Sequence, residues 1–516
     1  MTSSELYHTP LTPREGTGKA GQLPADLPRL INSVILPGFV GTTVPPWLER
    51  ALREGLAGVV YFSHNLVPDV PGQAAALSAA IKAANPRAVI GVDEEGGNVT
   101  RLQARDGSTI PGAAVLGALN EPATTESAGR ALGQLCRDAG ITLTIAPVAD
   151  VNTNVDNPVI GVRAFGSSTG LVQVHTAAAV TGIQQLRVAA CAKHFPGHGD
   201  TVADSHMDVA RVELSLADMA EFHLPPFQSA VDAGVMAMMS AHIIVPELGG
   251  LPATLNPAAA KLLRGMGFEG VLITDALDMA AVRATVGPGE GAVLALLAGN
   301  DLLCVGNPLN AYTSGQNDEA CYLEVFDAVH AAVLSGRLPV DVLRSAAGRV
   351  QAMARWSATA LPQPSTSPQN DVDWLGAAAR ACRLDALGDA PVLTGAGTVT
   401  LVDVRTGHNM AAGVTGNFLA EALSNYAVTV LEAARLSAVE LEVALLQAVG
   451  AVLVLSDSLT SAAQLEALEL VFSTAPQAVC INAGLAPREA SSFPAVHCHG
   501  FSQVTARAVA ALLEGA

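Results

Sequence analysis

The chain of 516 residues is poor in charged residues, in aromatic residues and, most of all, in lysine. Charged residues make up 15% and hydrophobic residues 50%, a balance too apolar for an intrinsically disordered chain. No apolar stretch is long enough to cross a bilayer, which takes about 18 residues, so the apolar excess does not indicate a membrane span. The net charge of −19 would repel phosphate backbones and so disfavours nucleic-acid binding.

The seven cysteines are odd in number and no two of them have CxxC spacing. This pattern disfavours a disulfide framework and indicates buried free thiols in a reducing compartment. The polar N-terminal stretch has no basic segment followed by an apolar one, the signature of a signal peptide. No early cysteine offers a lipid anchor, and we therefore expect a cytoplasmic enzyme.

Eight short apolar runs alternate with Ala-rich helical patterns along the first two thirds of the chain. Each run is nearly continuous in apolar residues, which is typical of a parallel strand buried on both faces. Eight such units predict a TIM (β/α)8 barrel. A doubly wound open sheet is the alternative, but it would usually show a Gly-rich phosphate turn after its first strand. The predicted strands are 33–39, 58–62, 88–92, 141–147, 188–193, 235–241, 270–274 and 301–305.

A second strand–helix alternation follows a stretch rich in Pro and Ser. It predicts a smaller α/β sandwich domain with a mostly parallel sheet. Helices are predicted at 216–233 in the barrel and at 373–384 where the second domain begins. The predicted boundaries are an N-terminal tail over 1–28, the barrel over 29–358, a linker over 359–371 and the C-terminal domain over 372–516.

Polar residues collect just after the predicted barrel strands, where barrel enzymes place their active sites. Carboxylates, imidazoles, one Arg and one Lys would therefore converge on one mouth of the barrel. These residues are Asp93 after strand three, Asp150 and Arg163 after strand four, 193–206 after strand five, His242 after strand six and Asp275 after strand seven.

The segment 193–206 holds three His, two Asp and one of only four lysines in the chain. An isolated His is more often a satisfied structural imidazole than a functional one. A metal site is a second interpretation, but the spacing matches no standard zinc pattern and Lys193 would repel a cation. The third is an acid/base dyad, in which Asp204 orients His206 and stabilises its protonated form.

Asp275 directly follows a buried apolar run, where a carboxylate is costly unless it is paired or used. The alternative is an Asp that caps a helix over 276–282, although Asp278 could supply that first-turn charge. Retaining glycosyl transfer needs a nucleophilic carboxylate and a proton donor about 5 Å apart. Asp275 and the His206–Asp204 dyad can fill those two roles.

Five motifs in order resemble the β-N-acetylglucosaminidase branch of glycoside hydrolase family 3. The resemblance covers the predicted barrel and agrees with the strand-end positions above. The motifs are VDxEGG at 92–97, APVADVN at 146–152, NPVIGxRAF at 157–165, KHFPGHGDTVADSH at 193–206 and VLITDALDM at 271–279.

The resemblance implies a role for each matching residue and no cofactor or metal. Asp275 would be the nucleophile, and His206, paired with Asp204, the general acid/base. The residues implied to contact or shape the sugar site are Asp93, Arg163, Lys193, His194, Arg101 and Asp150.

The implied activity is that of a retaining exo-β-N-acetylglucosaminidase acting on a GlcNAc-containing carbohydrate from muropeptides or chitooligosaccharides. The alternatives are a phosphorylase that uses inorganic phosphate in place of water, and a β-glucosidase or β-xylosidase type of family member. A non-catalytic sugar sensor is disfavoured because Asp275 and His206 are both present.

The chain departs from the family pattern at several positions. The family commonly has Gln and Arg where this chain has Glu94 and Asn98, so a sugar contact from either position is not expected. In the stretch 262–270, Met266 replaces the usual acidic residue, which should alter the helix-to-strand turn and leave Asp275 in place.

Overall fold

The computed structural model describes residues 24–201, 210–310, 317–361, 372–388, 392–394, 397–405 and 416–515. Two predicted catalytic residues, Asp204 and His206, lie outside these ranges. The linker predicted at 359–371 lies mostly outside them as well, and the bounds of the four predicted segments stay predictions. No helix among the described residues is long and apolar enough to cross a membrane.

The first part of the chain forms the predicted barrel, and all eight predicted strand runs are confirmed. The strands are β1 (Ile35–Pro37), β2 (Gly58–Tyr61), β3 (Val89–Val92), β4 (Leu143–Thr144), β5 (Ala189–Phe195), β6 (Ala210–Arg211), β7 (Ala237–Ser240), β8 (Ile243–Ile244), β9 (Val271–Thr274) and β10 (Leu303–Gly306). Strands β2, β3, β4, β5, β7 and β9 pair in that order, all parallel. Strand β1 pairs in parallel with β10, and a bridge from Ile273 to Leu302 joins β9 to the residues before β10. Strands β6 and β8 form a small separate pair.

Helices cover the outside of this barrel. They are α1 (Leu27–Asn32), α2 (Pro46–Arg53), α3 (Gln73–Ala84), α4 (Ala113–Leu119), α5 (Pro122–Asp138), α6 (Thr169–Gln184), α7 (Leu216–Asp218), α8 (Pro225–Asp232), α9 (Pro257–Gly265), α10 (Ala280–Arg283), α11 (Pro288–Ala298), α12 (Asp318–Leu334) and α13 (Val340–Ser357). The single helix predicted at 216–233 is wrong, because a π-helical turn, Met219–His223, separates α7 from α8. Pro225 and Pro226 lack the N–H groups that a continuous helix would need there.

Barrel strands are buried on both faces, as their apolar runs predict. Alternate residues such as Val60 and Ile273 pack inside the barrel. Their neighbours Val59 and Leu272 pack outward against the helices. The departure near Met266 falls in the turn after α9, which Arg264 closes by donating to the carbonyl oxygens of Phe268 and Gly270.

The second domain is a six-stranded sheet with helices on both faces, as predicted. Its strands are β11 (Arg383–Asp385), β12 (Thr398–Asp403), β13 (Ala427–Glu432), β14 (Ala451–Ser456), β15 (Val479–Asn482) and β16 (Ala495–His497). Its helices are α14 (Trp374–Ala381), α15 (Phe418–Ala422), α16 (Ala438–Leu446), α17 (Ala462–Thr474) and α18 (Gln503–Glu514). The strand order is β11-β16-β15-β14-β12-β13, with β11 alone antiparallel to its neighbour.

The helix predicted at 373–384 is too long, because α14 ends at Ala381 and β11 follows it. The Asp385 carboxylate binds the Arg383 guanidinium and Nε2 of the buried His497 ring, at 2.9 Å from each. These tertiary contacts hold 383–385 as an edge strand, and local helix propensity does not override them.

Candidate active site

A cavity of about 540 Å³ opens at the carboxyl ends of the barrel strands. Six of the nine predicted site residues line it. They are Asp93, Arg101, Arg163, Lys193, His194 and Asp275. Asp150 lies behind His194, and Asp204 and His206 lie outside the described residues. Five of these six side chains come from the strand-end pattern, and Arg101 comes from the family resemblance alone; the roles of all six stay predictions.

The two-residue period of a strand explains why Asp93, Lys193 and Asp275 reach the cavity. Each lies two residues beyond an inward-facing position of its strand, so each side chain points inward one layer nearer the mouth. The inward-facing positions below them are Gly91, Cys191 and Ile273.

Four ionisable side chains form a buried network at one wall of the cavity. Lys193 Nζ lies 2.9 Å from Asp93 Oδ1 and 2.6 Å from Glu95 Oε1. Arg163 donates to both Glu95 oxygens, at 3.0 and 2.7 Å. The Lys193 side chain is only 2% exposed, so the charge is stabilised by these partners and not by water. Glu95 was missing from the predicted site residues, although the VDxEGG motif contains it.

The network keeps its members charged. Burial opposes the ionisation of Asp93, but the positive charges of Lys193 and Arg101 outweigh it, so the Asp93 pKa is lowered. Burial also opposes the ionisation of Glu95, but the positive charges of Arg163 and Lys193 outweigh it, so the Glu95 pKa is lowered as well. Burial likewise opposes the charge on Lys193, and Asp93 and Glu95 outweigh it, so the Lys193 pKa is raised. The wall therefore offers fixed donors and acceptors to a neutral polar ligand such as a sugar.

Asp150 is fully buried and orients the segment after β5. Its carboxylate lies 2.7 Å from Nδ1 of His194 and accepts the backbone N–H of His198 at 2.7 Å. Burial raises the Asp150 pKa, but His194 outweighs that effect and the net shift is downward. With Nδ1 held by Asp150, Nε2 is the His194 nitrogen that can meet a ligand in the cavity.

Asp275 does not cap a helix. The next helix, α10, begins at Ala280 with Met279 at its N-cap, so the capping alternative is wrong. The Asp275 N–H donates to the Ser240 carbonyl oxygen, which continues the β7–β9 pairing, and Oδ1 accepts the Ala276 N–H at 2.8 Å. These two bonds hold a half-buried carboxylate at the cavity.

Asp278 is not a capping residue either. Its Oδ2 accepts the Asn307 N–H at 3.2 Å and the Asn310 side-chain amide at 3.1 Å. A Cβ on Gly306 would lie 1.9 Å from Asp278 Oδ1, so glycine is needed there. Asp278 thus ties the loop after β10 to the cavity wall, a link between distant residues that no local pattern signals.

Glu94, the first departure from the family pattern, faces away from the cavity. Its side chain is fully buried, and Oε2 accepts the backbone N–H groups of Arg101 and Leu102 at 2.9 and 3.0 Å. Burial raises the Glu94 pKa, and these hydrogen bonds only partly offset it. Glu94 therefore shapes the loop that carries Arg101, and the family's Gln could make the same two bonds.

We expect Glu94→Gln to become more stable than the wild type as pH rises from 5 to 8. A carboxyl whose folded pKa is raised contributes stability below its unfolded value of about 4.3 and loses it as pH rises. Urea unfolding at both pH values measures the difference. Glu95→Gln is the control: the lowered pKa of Glu95 stabilises the fold above its unfolded value of about 4.3, so this variant should be destabilised by the same amount at both pH values. A pH-independent effect of Glu94→Gln would contradict this account.

No group of three or more His, Cys, Asp or Glu side chains in the described ranges could hold a metal ion. A cavity at the carboxyl ends of the barrel strands, lined by an ion network, is the usual form of an active site in a barrel enzyme. Residues 48–353 match the family described as "Glycosyl hydrolase family 3 N terminal domain". The chain belongs to glycosyl hydrolase family 3 and is a glycoside hydrolase.

Relatives with names are similar to this chain in sequence or in structure. A "Beta-hexosaminidase" from Stenotrophomonas maltophilia is 37% identical over 289 residues, which cover 53% of this chain and 84% of that protein. The structure of a family 3 β-N-acetylglucosaminidase from Paenibacillus sp. matches with a TM-score of 0.82 at 27% identity, covering 95% of this chain and 96% of that one. A β-N-acetylhexosaminidase from Beutenbergia cavernae matches with a TM-score of 0.56 at 26% identity, covering 64% of this chain and 98% of that one.

Proposed function

We propose that this protein is a retaining exo-β-N-acetylglucosaminidase that releases terminal β-linked GlcNAc from muropeptides or chitooligosaccharides. The observation that carries the proposal is the single cavity that joins Asp275 to the Asp93–Lys193–Glu95–Arg163 network and His194. The names of the relatives, β-hexosaminidase and β-N-acetylglucosaminidase, support the choice of sugar. The seven free thiols, five of them buried, support the cytoplasm as its location.

In the first step, the ion network and His194 hold the sugar hydroxyls while Asp275 attacks the anomeric carbon. The bond from that carbon to the leaving oxygen breaks, and a bond to the Asp275 carboxylate forms. His206 donates its proton to the leaving oxygen. Asp204 would orient that imidazole, as the family resemblance implies for both residues.

In the second step, the neutral His206 removes a proton from water, which attacks the anomeric carbon and releases Asp275. Two inversions leave the β configuration of the product unchanged. An imidazole suits this site because its protonated form is cationic while Asp275 is a free carboxylate, so the two groups attract and do not compete for one proton as two carboxyl groups would.

Hydrolysis of nitrophenyl glycosides of GlcNAc, glucose and xylose tests the proposal. We expect turnover of the GlcNAc substrate, the β anomer of GlcNAc as the first product by NMR, and no change on adding phosphate. Accumulation of GlcNAc-1-phosphate would identify a phosphorylase. Preference for glucose or xylose would overturn the choice of sugar, and the α anomer as first product would overturn the mechanism.

A further inference from the structure

The loop between β3 and α4 contains a tight turn that ends next to the ion network. Glu95 N–H donates to the Val99 carbonyl oxygen at 2.9 Å, and Val99 N–H to that of Gly96 at 3.2 Å. Gly96 and Gly97 have φ of +79° and +56°, which glycine adopts readily. Asn98 lies inside this turn, whose hydrogen bonds connect it to Glu95, the carboxylate that bridges Lys193 and Arg163.

The second domain holds this turn from outside the barrel. Asn98 Oδ1 accepts the backbone N–H of Phe501 at 2.6 Å. Phe501 is itself anchored, because its ring is buried, packs on Phe418 at 5.9 Å and lies under the Arg405 guanidinium at 4.5 Å. A Cβ on Gly500 would lie 3.1 Å from Asn98 Oδ1, so the two segments meet closely.

A second contact with the second domain holds residues 107–110, the part of the same loop that leads to α4. Val504 N–H donates to the Ser108 carbonyl oxygen at 3.2 Å. A Cβ on Gly107 would lie 2.8 Å from Gln503 N, so the backbones pass in close contact. The Ile110 carbonyl oxygen then accepts the Gly97 N–H at 2.9 Å, which links this contact back to the turn.

We propose that Asn98 is a positioning residue through which the second domain fixes Glu95, and with it Lys193 and Arg163, in the geometry that binds the sugar. Asn98 lines a separate small cavity of about 40 Å³ between the domains, together with His499 and Gly500. Asn98 does not line the larger cavity at the strand ends, where the sugar would bind, so it acts through the turn and not through a substrate contact. The inference depends on the proposed function only for the choice of substrate.

Asn98→Leu removes the acceptor at similar volume and tests the inference. We expect KM for nitrophenyl GlcNAc to rise roughly tenfold with kcat within about twofold, because misplaced binding groups weaken sugar binding. Asn98→Asp keeps an oxygen acceptor for the Phe501 N–H and should restore KM to near the wild-type value. Unchanged KM in Asn98→Leu would overturn the inference.

Two further variants separate this role from general domain docking. Gly500→Ala crowds Asn98 from the second domain and should reproduce the KM effect even if Asn98→Leu fails to fold. Arg380→Ala is the matched control, since it removes an ion pair with Glu121 (3.4 Å) that joins the same domains away from the loop. An equal KM rise in Arg380→Ala would overturn the specific role of Asn98. If the wild type prefers another glycoside, the proposed function fails, and the same comparison is made on that glycoside.

Discussion

Asp275→Asn is expected to lower kcat for nitrophenyl GlcNAc by a factor on the order of 10⁴, while substrate still binds. An amide cannot form the glycosyl ester or stabilise the positive charge that develops at the anomeric carbon. Asn keeps the shape of Asp and an oxygen that can accept the Ala276 N–H now bonded to Oδ1 at 2.8 Å. The loss should therefore fall on the chemical step and not on folding.

Steady-state kinetics and thermal unfolding of Asp275→Asn separate these effects. Azide, a small anionic nucleophile, should restore part of the turnover and yield an α-glycosyl azide, because only one inversion then occurs. Asp278→Asn is the matched control, since it removes a carboxylate three residues along the chain that lines the same cavity. Near-wild-type kcat in Asp275→Asn, or an equal loss in Asp278→Asn, would disprove Asp275 as the nucleophile.

The barrel strands could be predicted because burial on both faces leaves a continuous apolar run in the sequence. All eight predicted barrel runs became strands. The errors fall where distant residues decide the local structure. Strand β11 exists because Asp385 binds His497, 112 residues away, and no local pattern contains that contact.

The same distinction applies to the site. Asp93, Lys193 and Asp275 follow apolar runs directly, so strand periodicity was enough to place them together. Glu95 was missed because its role depends on ion pairs with Arg163 and Lys193, which are distant in sequence and form only in the folded barrel. The roles of Asp204 and His206 stay predictions from the family resemblance.

Lys193→Met is expected to lower the free energy of unfolding by about 3–5 kcal/mol at pH 7. Methionine fills similar space, but Asp93 and Glu95 would lose the cation that lies 2.9 and 2.6 Å from their oxygens. The two carboxylates would then repel each other in a buried site, with Arg163 left as the bidentate partner of Glu95. Urea unfolding monitored by circular dichroism measures the loss.

The pH dependence of this loss identifies its cause. Carboxyl groups with lowered folded pKa values stabilise the protein above their unfolded values of about 3.9 and 4.3, and that stability disappears as pH falls through the folded values. The deficit of Lys193→Met should therefore be complete above pH 5 and shrink as the solution is acidified below pH 4. Lys82→Met is the matched control among the four lysines. Lys82 Nζ donates to the Gly140 carbonyl oxygen at 2.9 Å, so this substitution removes a hydrogen bond to a neutral acceptor and not to a carboxylate. A deficit in Lys193→Met no larger than that of Lys82→Met, or one that does not change with pH, would mean that the network does not depend on Lys193 for its charge balance.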